Sequence, residues 1–349
     1  MTTTSHHTSE RSNDSARDFH TWQLSVKQKW YHRFGARSQN FSGADLPLQG
    51  MIFLLHMTPN GSVGESFRKG KKSVVLKINP AITSIPREHV RVTILGSGTS
   101  TGVPVIGCQC SICLSSDLRH QRTRASIMIS LENGESIVID TGPDFRSQML
   151  RHRVDHLHHI FYTHTHADHC HGFDDTRAFY FRSGLPMNCY VPKIHVNDFK
   201  SRFNYAFDDL GYMGTKPQVI LHEVEEGPLE VMGYPFETVL LPHGNTQSMA
   251  FRLGGFAYAT DFKAFPIELQ NRWRGKLHTL VASGVRYRSL PTHSTLPETA
   301  ALMEALAVKR GIISHLNHDV DHDKAERDLP SHLRLAFDGM TFDVPWTGP

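Results

Sequence analysis

Short apolar runs separated by polar turns set the rhythm of the chain from Val90 onward. Val92–Leu95, Ser126–Leu131, Ser136–Asp140 and Leu157–Thr163 read as strands, and Phe236–Leu241, Ala250–Leu253, Phe256–Thr260 and Gly311–Ser314 continue the series. Helical patterns fall between them. The clearest covers Leu296–Lys309, where Leu302, Leu306 and the alanines share one face. Pro297 and Glu298 suit its first turn, because that turn leaves an N–H unbonded anyway and a carboxylate complements the positive end of a helix. His171–Tyr180 reads as a loop leading into another helix. Two β-rich blocks with interleaved helices predict an α/β (α+β) fold of two stacked sheets flanked by helices, an αββα sandwich.

The first 89 residues lack this rhythm. Residues 1–20 are polar, rich in Ser, Thr and His, and too poor in apolar surface to offset ordering, so they read as disordered. Residues 21–36 set Trp22, Leu24, Val26, Trp30, Tyr31 and Phe34 among Lys27, Lys29 and Arg33. Such a segment could stack on nucleic acid or dock on a partner, but a marginal helix without function is the simpler reading. Arg68–Lys72 is a charge run of the kind usually left solvated. Translation starting at Met51 or Met57 would shorten the extension. The organisation expected is therefore an N-terminal extension of unknown role over 1–89 and one catalytic domain over 90–349.

Composition narrows the class. Of 349 residues 39% are hydrophobic and 20% charged, an ordinary globular balance. Residues 1–90 carry 12 Lys+Arg against 6 Asp+Glu, whereas the whole chain is only +3, so the domain beyond is slightly acidic. That disfavours a long nucleic-acid substrate, which needs an electropositive track. Met51–Met57 falls far short of the ~18 apolar residues of a membrane span, and no signal pattern opens the chain. Three of five cysteines crowd into residues 108–113, which points to metal binding in a reducing compartment, hence the cytoplasm. Cys170 and Cys189 are expected to pack as small apolar residues.

The densest chemistry lies in Tyr162-Thr-His164-Thr-His166-Ala-Asp168-His169. His164 and His166 alternate, so at a strand end both rings face one way. Asp168 and His169 follow as the chain turns. Neutral imidazole with carboxylate suits zinc, manganese or iron. This His-x-His-x-Asp-His motif after a strand resembles the metallo-β-lactamase superfamily signature. The glycine loop Gly96-Ser-Gly98-Thr-Ser-Thr-Gly102, the run Cys108-x-Cys110-x-x-Cys113, and Ile137-Val-Ile-Asp140-Thr-Gly stand upstream in the same order as in the PhnP-like phosphodiesterase branch. The resemblance covers roughly residues 90 to 345.

The resemblance implies a sandwich of two mixed sheets and a dimetal hydrolase. Its seven metal ligands would be His164, His166, Asp168, His169, His243, Asp261 and His315, with Asp168 also among the catalytic residues. The last three each end an apolar run, in Leu240-Leu-Pro-His243, Tyr258-Ala-Thr-Asp261 and Ile312-Ile-Ser-His315. His293, in Pro291-Thr-His293-Ser-Thr, resembles the family's general acid. Asp140 would orient a ligand histidine through its second ring nitrogen. A structural zinc would take Cys108, Cys110 and Cys113 with His318, three residues beyond His315. The cofactors expected are thus two catalytic divalent metals, zinc or manganese, and one structural zinc. The glycine loop is one residue too long for a dinucleotide fingerprint and meets Pro104 instead of a helix start, so no nucleotide site is read there. Arg124 and Arg177 could hold a phosphate or form structural ion pairs. His152, His156, His158, His159 and His171 are assigned no function.

The expected substrate is a small or cyclic phosphodiester, with no membrane partner; a homodimer is compatible with the sequence. The alternatives are a thioester or lactone hydrolase, a ribonuclease Z-like nuclease, and a non-catalytic accessory protein like that of pyrroloquinoline quinone biosynthesis. Against the nuclease, no arm-like insertion interrupts residues 170–315. Against the accessory protein, all seven ligand positions are filled.

Overall fold

Ile137, Val138 and Ile139 point alternately to two faces of one strand, and none of the three is accessible to solvent. A strand apolar on both faces needs cover on both sides, and the fold supplies it. The chain is described by a computed structural model over residues 55–57, 63–65, 89–208 and 213–346. It divides into two units, Met1–Pro80 and Ala81–Pro349. In the first, β1 (Leu55–Met57) and β2 (Val63–Glu65) form an antiparallel hairpin. The polar N-terminus, the basic–aromatic segment and the Arg68–Lys72 run lie outside the described residues.

The second unit holds two seven-stranded sheets. One is built from β3 (His89–Gly96), β4 (Ser126–Ser130), β5 (Ser136–Ile139), β6 (His159–Phe161), β7 (Met187–Pro192) and β8 (Val219–Val224). The other contains β9 (Gly227–Val231), β10 (Tyr234–His243), β11 (Thr246–Leu253), β12 (Phe256–Ala259), β13 (Thr279–Ser283), β14 (Arg310–Ser314) and β15 (Leu333–Leu335). The chain then returns to the first sheet as β16 (Thr341–Pro345), antiparallel to β3. Both sheets are mixed: β5 to β8 and β12 to β15 run parallel, the remaining pairs antiparallel.

Val92, Ile94, Ile127, Ile139 and Phe161 of one sheet meet Phe236, Phe251, Tyr258 and Ile312 of the other in the central core. Helices cover the outer faces. Phe145 and Met149 of α1 (Phe145–His152) cluster with Val138 and Ile160, as do Phe179 and Phe199. On the far side Leu269, Trp273, Met303 and Leu306 cluster with Leu280, Ala282 and Ile313. The result is four layers, helix, sheet, sheet, helix.

Several boundaries differ from expectation: β3, β10 and β11 run longer than the apolar runs Val92–Leu95, Phe236–Leu241 and Ala250–Leu253, while two elements are markedly shorter. The ladder of β6 is shorter than the apolar run Leu157–Thr163, because Thr163 already turns to bond Asp140. The helix expected over Leu296–Lys309 spans Leu296–Ala305. Ala307 adopts a left-handed φ of 53°, and the N–H groups of Ala307 and Val308 bond the carbonyls of Glu304 and Met303. This is a Schellman closure, which satisfies the last carbonyls and frees the chain to enter β14. Its start is fixed by a capping box between Thr295 and Glu298. Among the described residues no helix is long and apolar enough to cross a membrane.

Candidate metal centre

Strand ends bring the polar side chains together. The Asp140 backbone follows β5 with a φ of 68°, and its carboxylate accepts from the Thr163 N–H and hydroxyl, both at 2.8 Å. That clasp fixes the turn after β6 that carries the histidine motif. Asp140 Oδ2 also lies 2.7 Å from His169 Nδ1, leaving His169 Nε2 aimed inward. Thr163 Oγ1 sits 2.9 Å from His164 Nδ1, and His243 Nδ1 donates to the Thr292 carbonyl at 2.8 Å. In each case the outer ring nitrogen is held and the inner one turns toward the other candidate ligands; His164 Nε2 and His243 Nε2 both face His166 Nδ1, at 2.9 and 3.2 Å. Glycine makes the close packing possible. A Cβ on Gly142 would stand 2.2 Å from the Asp168 carbonyl, and one on Gly98 would stand 2.6 Å from that of Arg122.

The candidate ligands converge in two adjoining groups, His164 with His166 and His243, and Asp168 with His169, Asp261 and His315; within each group the donor atoms lie within 4.8 Å of one another. Asp261 stands between them. Its Oδ2 is 3.4 Å from His169 Nε2 and 3.9 Å from His243 Nε2, while Oδ1 is 3.3 Å from His315 Nε2. His293 Nε2 approaches the same carboxylate at 3.2 Å, and its ring remains partly exposed at the mouth.

Burial holds the His164 imidazole well below its usual pKa, and does the same less strongly for His166 and His243. The shift favours the neutral imidazole, the form that ligates. Burial opposes charge on Asp168 and Asp261 too, but neighbouring His169 and His315 hold both carboxyls well below the ordinary range. His169, despite its burial, is pushed well above its ordinary value by Asp168, Asp140 and Asp261. His169 Nε2, Asp261 Oδ1 and both nitrogens of His315 are buried without a hydrogen-bond partner. Orphaned donors around buried carboxylates are costly in a core and fit divalent cations.

A second cluster joins the first sheet's cysteine loop to the segment after β14. His318 Nδ1 lies 3.3 Å from Cys108 Sγ and 3.6 Å from both Cys110 Sγ and Cys113 Sγ. The Cys113 N–H, chiefly, draws the Cys110 thiol down to about 6, while burial raises Cys113 to about 11. A Cys₃His set of this kind suits a closed tetrahedral zinc.

Sequence reasoning passed over Arg122, which organises this region. Its buried guanidinium donates to the carbonyls of Arg119, Asn317 and Val320 at 3.1, 2.8 and 2.9 Å, gripping the loop that holds His318. Burial lowers it to about 10. Arg122→Met should strand those carbonyls and lower the melting temperature by about 5–10 °C, as differential scanning calorimetry would record. No motif marks such a residue, since its role depends on carbonyls some two hundred positions away. Arg124 and Arg177 pair with Asp144 at 3.0 Å and Asp174 at 2.8 Å.

Comparison with known proteins bears on the fold and family. Residues 135–316 match the family profile described as a beta-lactamase superfamily domain, just over half of the chain. A crystal structure described as a new diphosphatase from the PhnP family is 37% identical, with a TM-score of 0.69, covering 74% of this chain and 98% of that one. Zinc-bound PqqB from Methylobacterium extorquens, 18% identical with a TM-score of 0.60, shares the fold over 73% of this chain and 100% of its own. The octanoyltransferase of Porphyromonas gingivalis is 33% identical over 254 residues, which are 72% of this chain and 51% of that protein. Coenzyme PQQ synthesis protein B of Rhodopseudomonas palustris is 38% identical over 63 residues, 18% of this chain and 20% of that one. The chain thus spans about half the length of the first of these curated relatives and matches a fifth of the second.

Proposed function

The chain belongs to the metallo-β-lactamase superfamily, on its PhnP-like branch, and from that premise we propose that it is a dimetal phosphodiesterase acting on a small or cyclic phosphodiester. The observation that carries this reading is the position of Asp261 between two groups of inward-facing donors. His164, His166 and His243 would hold one cation, and Asp168, His169 and His315 the other, with Asp261 shared. When bound, such a pair brings the pKa of water to about 7 and neutralises charge gathering on phosphoryl oxygens.

The protein's own residues then have defined tasks. Asp140 and Thr163 fix the rings of His169 and His164, so no reorganisation is needed as charge develops. His293 delivers a proton to the departing alkoxide oxygen from the mouth of the site. Thr292 Oγ1, 2.6 Å from His293 Nδ1, sets the orientation of that ring. Cys108, Cys110, Cys113 and His318 would hold a structural zinc that ties the glycine loop to the His315 segment.

The test is turnover of bis-p-nitrophenyl phosphate and of a cyclic phosphodiester by metal-reconstituted protein. Both should be hydrolysed, and a chelator should abolish the reaction. The PhnP-family neighbour is described as a diphosphatase, and attack at phosphorus in an anhydride needs the same site, so a diphosphate belongs in the panel. The similarity to an octanoyltransferase favours a second reading, hydrolysis of a thioester. Turnover of an acyl thioester without turnover of any phosphorus substrate would replace the first reading by the second. Cys108→Ser should lower the bound metal by about one ion per chain, read by elemental analysis, if the cysteine cluster holds zinc.

A further inference from the structure

Three donors gather at the opposite end of the first sheet from the candidate catalytic residues. The catalytic groups follow the C-terminal ends of β5 and β6, whereas Glu135 precedes β5 and His156 and His158 precede β6. The two strands run parallel with Ile137 opposite His159. The ladder begins at that pair, so Glu135, His156 and His158 all lie in the segments that lead into the two strands. Leu157 between the two histidines is fully buried, whereas His156 is exposed and His158 partly buried. Adjacent strands are about 4.8 Å apart, close enough for one carboxylate to meet both rings.

The side chains take up that opportunity. Glu135 Oε1 lies 3.0 Å from His156 Nε2 and Oε2 lies 4.0 Å from His158 Nδ1. The two imidazoles meet edge-on with centroids 4.3 Å apart. One donor atom from each residue falls within 4.8 Å of the others. Backbone bonds hold the carboxylate in place: the Glu135 N–H donates to Asn133 Oδ1 at 3.0 Å and its carbonyl accepts from Leu131 at 2.9 Å. Glu135 Oε2 is covered by the protein yet has no hydrogen-bond partner. A simple ion pair with His156 occupies only Oε1 and leaves that second oxygen unexplained.

We propose that Glu135, His156 and His158 form a further divalent-metal site, selective for zinc-like ions and separate from the catalytic and cysteine centres. Two imidazoles and one carboxylate are a donor set suited to zinc, with water as the remaining ligand because His156 stays exposed. Bound there, the ion ties the Asn133–Gly134 turn to the segment entering β6 and acts on stability, not on turnover. Magnesium and calcium, which prefer all-oxygen shells, do not compete.

Equilibrium dialysis of the full chain against buffered free Zn²⁺, with metal counted by mass spectrometry, tests this directly. The His156→Gln/His158→Gln protein should hold about one zinc fewer than wild type, keep its phosphodiesterase activity, and lose the zinc-induced rise in melting temperature. Glu135→Gln should weaken the same binding step while leaving both histidines in place. Equal zinc counts in wild type and the double variant would overturn the proposal, as would displacement of this zinc by millimolar Mg²⁺.

Discussion

Asp261→Asn should lower phosphodiester turnover by about 10³-fold or more while the fold persists. The reason lies in the number of groups that share this carboxylate. It stands within 4 Å of His169, His243, His293 and His315, and it is fully buried. Asparagine keeps the shape and one oxygen donor but removes the negative charge that would offset the two cations of the proposed centre. Bound metal should therefore fall by about one ion per chain in elemental analysis. Activity retained within tenfold of wild type would show that Asp261 does not bridge. Circular dichroism and the melting curve separate this from unfolding, since the amide leaves the packing around Phe262 and Tyr258 unchanged.

His293→Gln should produce the second large effect, and one that depends on the leaving group. An alkoxide leaves poorly without a proton, so a ribose-type or alkyl phosphodiester should slow by about 10²–10⁴-fold. p-Nitrophenolate leaves without help, and its ester should slow far less. A structural role for His293, through its 3.2 Å approach to Asp261, would instead slow both substrates equally. The ratio of the two rates, measured on one preparation, distinguishes these cases without reference to absolute activity.

What could be read from the sequence followed from local chemistry. His164 to His169 is a contiguous motif whose spacing already fixes which rings can face together, and Cys108 to Cys113 is another. The strand that leads into the histidine motif is a short apolar run with few competing interpretations. His243, Asp261 and His315 are different. Each is a single polar residue ending an apolar run, and only a family pattern distinguished them from ordinary caps; the structure brings them to one point through strands far apart in the chain. Strands such as β7 and β13 and helix α1 were not anticipated. Met187–Pro192 and Thr279–Ser283 are buried on both faces and have no alternation, so nothing local separates them from helix or loop. Arg122 and Asp338 were invisible for a related reason. Asp338 accepts from Ser97, Thr123 and Arg151, and those partners can be known only once β16 has returned to β3.

The histidines left without assignment divide in an informative way. His159 stacks on Tyr190, an ordinary packing role, whereas His156 and His158 share a carboxylate across a parallel strand pair. The difference lies in Glu135, whose two carboxylate oxygens face His156 and His158 and not His159.

The most direct test of the central claim is anomalous diffraction at the zinc or manganese edge from crystals of reconstituted protein. The expected map has two peaks about 3.5–4 Å apart on either side of the Asp261 carboxylate, one against His164, His166 and His243 and the other against Asp168, His169 and His315. A single peak, or none within reach of Asp261, would contradict the account.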